Sequence, residues 1–208
     1  MKKFVLPMCL ALSFIVFTVL VCFVDVQPIA PDASSVGFAT VNTAVHQFFG
    51  IHKLWYTLTQ VLGLAAIAVA FAFALLGFVQ LIQRKSLLKV DRTLLVLACV
   101  YVAVIVLYVL FEKLAINVRP IISDEGIEPS YPSTHTMLIL TIFGTARYQI
   151  KQYVRNKNLC LLCDILCILI MVVAFAGRLV CGVHWFTDII GGLLLSLTLI
   201  CFYKACAY

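Results

Sequence analysis

The residues of this chain that could carry out chemistry fall in three short segments. They are EKLAINVRP (Glu112–Pro120), YPSTH (Tyr131–His135) and GRLVCGVHWFTD (Gly177–Asp188). Together they hold arginines, hydroxyl groups, histidines and a carboxylate. These are the groups that bind oxyanions and transfer protons in proteins. The types and spacings therefore indicate chemistry on an anion such as phosphate.

In the second segment, Pro132 precedes Ser133 and Thr134 at the predicted start of an apolar helix. Hydroxyl groups and free backbone N–H groups at such a start point outward with the positive end of the helix dipole. The segment could therefore cradle an anion, with His135 beside it as a proton donor. The alternative is an ordinary helix cap next to a solvated histidine.

In the third segment, His184 and Asp188 are four residues apart, and we predict that both lie on one face of a helix. The carboxylate could then hold one imidazole N–H and leave the other nitrogen as a nucleophile or base. The alternative is a purely structural pair. Arg178 lies six residues before His184, across Gly182, and could supply charge to whatever the histidine attacks.

The composition shows what kind of protein must position these residues. Its 208 residues are 64% hydrophobic and 12% charged, with a mean hydropathy of +1.12, values that exclude an ordinary soluble domain. We expect one integral membrane domain over residues 1–208. The net charge of +6 comes from short basic clusters between apolar runs, so no nucleic-acid partner is expected.

Six apolar segments reach or approach the length of about 20 residues that a helix needs to cross a membrane. The predicted fold class is an all-α membrane protein with six transmembrane helices. We place the spans at roughly 4–24, 54–82, 93–111, 134–150, 159–177 and 184–203. The first could be a signal peptide, but its long apolar stretch favours a retained anchor.

The positions of the basic residues predict the orientation. Eleven of the 15 fall on one side: Lys2, Lys3, Arg84, Lys85, Lys89, Arg92, Arg147, Lys151, Arg155, Lys157 and Lys204. Because cytoplasmic loops are enriched in lysine and arginine, we expect cytoplasmic termini and an extracytoplasmic active site, in a bacterial plasma membrane.

The opposite side keeps four basic residues, among them Arg119 and Arg178, together with acidic residues that include Asp124 and Glu125. A single arginine there could extend its charged end from the membrane to water. Two arginines with two histidines on one side instead favour anion binding, because a guanidinium group suits phosphate oxygens.

Other potential ligands lack partners in the sequence. Cys160 and Cys163 form one isolated CxxC pair, and His46 and His52 lie in a polar segment whose stretch VNTAVHQFFGIHKLW (41–55) predicts an interfacial helix. Zinc, haem or another metal could use them, but each pair has only two donors. We therefore expect neither a metal nor another cofactor.

The three segments resemble the signatures of the type-2 phosphatidic acid phosphatase family. Arg119–Pro120, PSTH (Pro132–His135) and the spacing from Arg178 through His184 to Asp188 are similar to its usual forms KxxxxxxRP, PSGH and SRxxxxxHxxxD. Members are integral membrane lipid phosphatases that share a helical core with vanadium haloperoxidases. Such a core is therefore expected, and the six-span layout would cover nearly the whole chain.

The resemblance implies roles for individual residues. His184 would attack phosphorus to form a phosphohistidine, and Asp188 would orient it. His135 would protonate the leaving oxygen and then activate water. The phosphoryl oxygens would be held by Arg119, Arg178 and Ser133, with Thr134 in the same segment, and no metal would take part.

Three positions depart from the family pattern. Thr134 stands at the motif glycine, Gly177 at the motif serine, and Glu112 at the motif lysine. A regular helix would put Glu112 on the face of Arg119, but the residue before a proline leaves the helical conformation. We therefore expect Lys113 to be an auxiliary phosphate contact and Glu112 to point away.

The expected function is metal-independent hydrolysis of a membrane lipid phosphate or diphosphate. Undecaprenyl diphosphate is the first substrate considered, followed by phosphatidic acid or phosphatidylglycerol phosphate. One alternative is a phosphotransferase that passes the phosphoryl group to another lipid. The other is a non-catalytic membrane protein that binds lipid phosphates.

Overall fold

The computed structural model describes residues 2–122 and 126–208, so Asp124 and Glu125 lie outside the described residues. The described residues form seven α-helices. They are α1 (Val5–Phe23), α2 (Ala39–Phe49), α3 (Lys53–Arg84), α4 (Arg92–Leu114), α5 (Thr134–Tyr153), α6 (Lys157–Val180) and α7 (Phe186–Ala207). A 3₁₀ turn, Lys2–Phe4, precedes α1, and another, Leu87–Lys89, links α3 to α4.

Each predicted span corresponds to one helix, but the helices differ in how apolar they are. Within the described residues, five are long and apolar enough to cross a membrane: α1 with its preceding turn, α3, α4, α6 and α7. Their large exposed apolar side chains suit a lipid environment. The chain is therefore an integral membrane protein, and these criteria do not confirm the predicted count of six spans.

Of the two helices outside this set, α2 is short and α5 lies inside the bundle. It packs against α3, α4, α6 and α7, and its residues from Ile139 to Ala146 are buried. A helix surrounded by other helices does not need apolar side chains toward lipid. This explains how α5 can carry the buried polar residues Thr141, Thr145 and Gln149.

Helix α2 is shorter than the interfacial helix predicted over 41–55. It begins at Ala39 and ends at Phe49, because Gly50 adopts φ +69° and turns the chain before α3 begins at Lys53. Its histidine His46 donates from Nε2 to the Gly182 carbonyl at 3.0 Å. His52 donates from Nε2 to the Phe49 carbonyl at 2.8 Å. Both imidazoles therefore make structural bonds.

Candidate active site

The three polar segments meet at one end of the bundle. Helices α4 and α6 end there, and helices α3, α5 and α7 begin there. Tyr131 anchors the middle segment: its ring is buried against Phe14 and Phe111, and its hydroxyl bonds Thr18 at 2.8 Å. The backbone N–H of Ser133 donates to the Asp188 carbonyl at 2.8 Å, which joins the starts of α5 and α7.

His184 lies in a tight loop between α6 and α7. Gly182 has φ +72°, and a Cβ there would collide with the Gly50 backbone, so this turn requires glycine. The next residue after His184, Trp185, is buried and donates from its indole to the Val118 carbonyl at 2.7 Å. The loop is thus held on both sides of the histidine.

The relation between His184 and Asp188 differs from the prediction. Helix α7 begins at Phe186, so the two residues do not lie on one helical face. They meet because Asp188 caps the helix: its Oδ2 accepts from the Trp185 backbone N–H at 2.8 Å. The same oxygen lies 3.8 Å from His184 Nδ1, which is longer than a hydrogen bond.

Arg178 is fully buried behind His184. Its guanidinium donates to Thr59 Oγ1 at 3.2 Å and to His184 Nε2 at 3.3 Å, and it lies 5.9 Å from the centre of the Tyr56 ring. Because a guanidinium can only donate, His184 Nε2 must carry a lone pair and Nδ1 the proton. The lone pair that could attack phosphorus is therefore beside a fixed positive charge.

The surroundings of His184 also keep it uncharged. Its side chain is almost completely buried, and the positive charges of Arg178 and Arg119 lie nearby. Burial first, and then these charges, lower the pKa of His184 well below its usual value of 6.5. The imidazole is therefore neutral, and so nucleophilic, at neutral pH.

The backbone around Arg119 is held by hydrogen bonds to the segment that contains Glu128. Its backbone N–H donates to the Glu128 carbonyl at 3.0 Å, and the Ser130 N–H donates to the Asn117 carbonyl at 2.8 Å. The Arg119 side chain forms an ion pair with Glu128 at 2.9 Å. An anion that binds Arg119 in this cavity must therefore compete with a carboxylate.

His135 lies in the first turn of α5 and faces α3. Its Nε2 bonds Gln60 Oε1, and the Gln60 amide donates to the Tyr56 hydroxyl at 2.8 Å. Because the amide oxygen can only accept, Nε2 carries a proton. The other nitrogen, Nδ1, has no hydrogen-bond partner among the described residues and remains available for proton transfer.

Ser133 and Thr134 differ in their access to the site. Ser133 is the N-cap of α5, is fully buried, and accepts from the Thr136 hydroxyl at 3.0 Å. It is absent from the described lining of the cavity beside His184, whereas Thr134 is part of that lining. The predicted cap is present, but the geometry does not bring Ser133 to the predicted anion site.

The expected arrangement of Lys113 and Glu112 is wrong. Glu112 lines the cavity that contains Arg119 and His184, while Lys113 is exposed and is not among its described lining residues. Helix α4 ends at Leu114, and the irregular segment 115–118, in which Ala115 adopts φ +44°, separates it from Arg119. Glu112 and Arg119 therefore reach the same cavity from two different elements, the last turn of α4 and the loop that follows it.

Three cavities meet at these residues. A polar one of about 150 Å³ is lined by His184, His135, Arg119 and Ser130 among others. An apolar groove of about 580 Å³ between α3, α4 and α5 shares Tyr108, Thr134 and His135 with it. A third cavity, of about 510 Å³, shares Arg119 and Glu128 and includes Lys53. The polar cavity thus connects an apolar groove to a second, more polar opening.

The comparison with protein families agrees with this geometry. Residues 108–208, which carry all three polar segments, match the family described as the PAP2 superfamily. This part of the chain is therefore similar to the PAP2 superfamily. No curated protein sequence matches it.

A solved structure has the same overall fold. It is the crystal structure of the "first transmembrane PAP2 type phosphatidylglycerolphosphate phosphatase from Bacillus subtilis". The two chains are 19% identical, with a TM-score of 0.67 over 99% of this chain and 94% of the other. At this identity the likeness shows the fold, and together with the family it supports a membrane phosphatase architecture.

Several residues at this site were not indicated by the sequence patterns. Thr59 and Gln60 come from α3, outside the residues that match the family, and sit next to Arg178 and His135. Ser130 lines the polar cavity; its hydroxyl lies near Asp188 but makes no well-formed hydrogen bond among the described residues. Polar residues inside the otherwise apolar span 54–82 were the available signal.

Gly177, where the PAP2 pattern has serine, is explained by packing. A Cβ at this position would lie 2.8 Å from Thr59 Cγ2 and 3.0 Å from the Trp55 ring. We expect Gly177→Ala to lower the free energy of unfolding by about 1–3 kcal/mol, as overpacking does. Thermal melting in detergent would measure this.

The matched variant is Gly177→Ala/Thr59→Ala. It should recover much of the lost stability because the clashing methyl group is gone. It should not recover activity, because Thr59 also accepts from Arg178. A Gly177→Ala protein as stable as the wild type would contradict the packing explanation.

Proposed function

We propose that this protein hydrolyses a phosphate or diphosphate group from a membrane lipid through a phosphohistidine on His184. The observation that carries the proposal is the position of His184 Nε2, 3.3 Å from the Arg178 guanidinium, at the wall of the cavity that Arg119 and His135 also line. A nucleophile, a cation and a second histidine around one small space, with the buried Arg178 in contact with the nucleophile, suit a phosphoryl group.

In the first step, Arg178 transfers its hydrogen bond from His184 Nε2 to a phosphoryl oxygen, the freed Nε2 lone pair forms a bond to phosphorus, and the bond from phosphorus to the lipid oxygen breaks. A protonated His135 gives its Nδ1 proton to that oxygen, so the lipid leaves as an alcohol, or as a monophosphate from a diphosphate. His184 becomes positively charged, and Asp188, 3.8 Å from Nδ1, compensates that charge. Arg119 and Arg178 stabilise charge on the phosphoryl oxygens.

In the second step, water attacks phosphorus while His135 Nδ1 accepts its proton, and the bond between phosphorus and Nε2 breaks. Inorganic phosphate leaves, and His184 is again neutral. Each step uses one proton transfer through His135, whose ring orientation is set by Gln60. No metal takes part in this sequence.

The cavities suggest how the substrate is placed. The apolar groove of about 580 Å³ borders His135, so it can hold the lipid chain with the leaving oxygen beside the proposed acid. Isoprenoid diphosphates, phosphatidic acid and phosphatidylglycerol phosphate all combine an apolar chain with a terminal phosphate. Among these three candidate substrates, the name of the structural neighbour favours phosphatidylglycerol phosphate.

One arrangement favours a second candidate function, non-catalytic binding of lipid phosphates. Glu112 and Glu128 both line the polar cavity, and Glu128 already pairs with Arg119. Carboxylates next to a phosphate weaken its binding. The catalytic proposal requires that the substrate displaces Glu128 from Arg119.

Phosphate release from a panel of these lipids in detergent tests the proposal. We expect release from at least one lipid, no loss of rate with EDTA, and inhibition by vanadate, because the described residues contain no cluster of three or more side chains placed to hold a metal ion. Binding of every lipid without turnover would support the second candidate. Phosphate found on an acceptor lipid would indicate a phosphotransferase, and rescue by divalent metal after EDTA would contradict the mechanism.

We further propose that six helices span the membrane, the sixth being α5 inside the bundle. The His184 site would then face the outside of the cell. In a cysteine-free background, Ser35→Cys and Lys89→Cys place exposed thiols at opposite ends of the bundle. In intact cells an impermeant thiol reagent should label Ser35→Cys, while Lys89→Cys should require permeabilised cells. The reverse pattern would mean that the proposed orientation is inverted.

A further inference from the structure

The end of the bundle opposite the site contains a separate basic cavity of about 410 Å³. It is lined by Thr93, Tyr148, Lys151, Gln152, Lys204 and Tyr208. These residues come from the start of α4 and the ends of α5 and α7. From Thr134 to Lys151, α5 rises about 25 Å, so this cavity and the polar cavity at His184 are distinct.

The charge in this cavity is positive. Lys151 contacts Asp164 at 3.3 Å, but Asp164 is already held by two bonds from Arg147, at 2.6 and 3.1 Å. Lys204 lies 5.8 Å from the centre of the Tyr148 ring, and no carboxylate pairs with it in the described part of the chain. Arg147 and Lys151 thus share one carboxylate and Lys204 has none among the described residues, which leaves a site suited to an anion.

A buried hydroxyl group points to a ligand independently of the lysines. Thr93 is 7% exposed, and its Oγ1, although near Tyr153, makes no well-formed hydrogen bond within the described residues. A buried hydroxyl without a partner costs free energy unless something bonds to it. A ligand oxygen in the cavity that Thr93 lines would satisfy it.

The position of the cavity indicates the source of the anion. It lies where α4 begins and where α5 and α7 end, beside Tyr148 and Tyr208, and at the end that carries eleven of the 15 basic residues. Basic pockets between membrane helices at such an end bind anionic lipid head groups. Soluble anions share the phosphate chemistry but lack the chains that would lie along the adjacent apolar surfaces.

We propose that this cavity binds the phosphate head group of an anionic phospholipid from the surrounding leaflet. Lys151 and Lys204 contact the phosphate charge, and the hydroxyls of Thr93 and Tyr208 bond its oxygens. This lipid is a bound neighbour and not the substrate. The proposal does not depend on the function proposed for the His184 site.

Native mass spectrometry of the full chain, titrated with phosphatidylglycerol or phosphatidylcholine, tests the assignment. We expect preferential retention of one phosphatidylglycerol. In Lys151→Gln/Lys204→Gln its affinity should fall about thirtyfold, the change expected when two charged contacts are lost. The control Lys89→Gln/Lys157→Gln removes the same charge from exposed positions at the same end and should keep the affinity.

Thr93→Val separates binding from folding. Because the Thr93 hydroxyl makes no well-formed bond within the described residues, its removal should leave the melting temperature of lipid-free protein unchanged and still weaken phosphatidylglycerol binding several-fold. Equal losses in the pocket and control double variants would overturn the proposal, as would equal retention of both lipids. Displacement of phosphatidylglycerol by inorganic phosphate at equal concentration would overturn the lipid assignment in favour of a soluble anion.

Discussion

Replacing His184 with alanine is expected to eliminate phosphate release, whereas Asp188→Asn should retain a slow, measurable reaction. The first change removes the attacking nitrogen, and we expect the single-turnover rate to fall on the order of 10⁵-fold or more. The second removes a charge 3.8 Å from Nδ1 but keeps an oxygen that can cap Trp185. We expect a decrease on the order of 10³-fold.

Rapid-quench measurements in detergent would compare these rates, and trapping of an acid-labile phosphoprotein would report the covalent step directly. His52→Ala is a matched control, because His52 lies at the same end of the bundle and its side chain bonds only the Phe49 carbonyl among the described contacts. It should retain the wild-type rate. Unchanged activity in His184→Ala would exclude a phosphohistidine at this position.

Arg178→Ala is expected to have the next largest effect, a fall in kcat/KM of about 10²–10³-fold. Arg178 is fully buried and contacts His184 Nε2 and Thr59, so its charge acts where little water can replace it. Arg178→Lys keeps the charge but not the planar pair of donors, and its activity should fall between those of the wild type and Arg178→Ala.

Steady-state kinetics with a melting curve for each variant would separate a catalytic loss from a folding loss. The exposed Arg155→Ala, at the other end of the bundle, should change neither. Lys113→Ala should also remain close to the wild type, because Lys113 does not line the polar cavity in the described structure. A similar kcat/KM for Arg178→Ala and Arg155→Ala would exclude phosphate stabilisation by Arg178.

The helices were largely predictable because a membrane imposes a length and a composition on each of them. The predicted span 54–82 and the observed α3 (Lys53–Arg84) differ by only one or two residues at each end. The start of α7 was harder to predict, since Val183 and Trp185 are apolar like the helix while the chain is still a loop. His184, predicted at the start of this helix, therefore lies in the loop before it.

The cluster of site residues was also predictable, because the three polar segments lie at helix ends on the same side. The partners of these residues were not. Gln60 orients His135 from α3, 75 positions away in the chain, and no local spacing marks such a contact. The placement of Glu112 was not predictable either, because the chain leaves the helix after Leu114 and Ala115 turns it with φ +44° before Arg119.

The apolar groove beside His135 has a kinetic consequence under the proposed function. A substrate whose chain lies between α3, α4 and α5 can react without leaving the membrane. Its lipid product can then diffuse laterally within the same leaflet. Inorganic phosphate leaves through the other opening, near Lys53, into water. The frequency with which enzyme and substrate meet then depends on the amount of substrate per area of membrane. Adding inert lipid or detergent at a constant total substrate concentration should therefore slow the enzyme. The added lipid lowers the amount of substrate per area of the membrane or micelle that holds the enzyme.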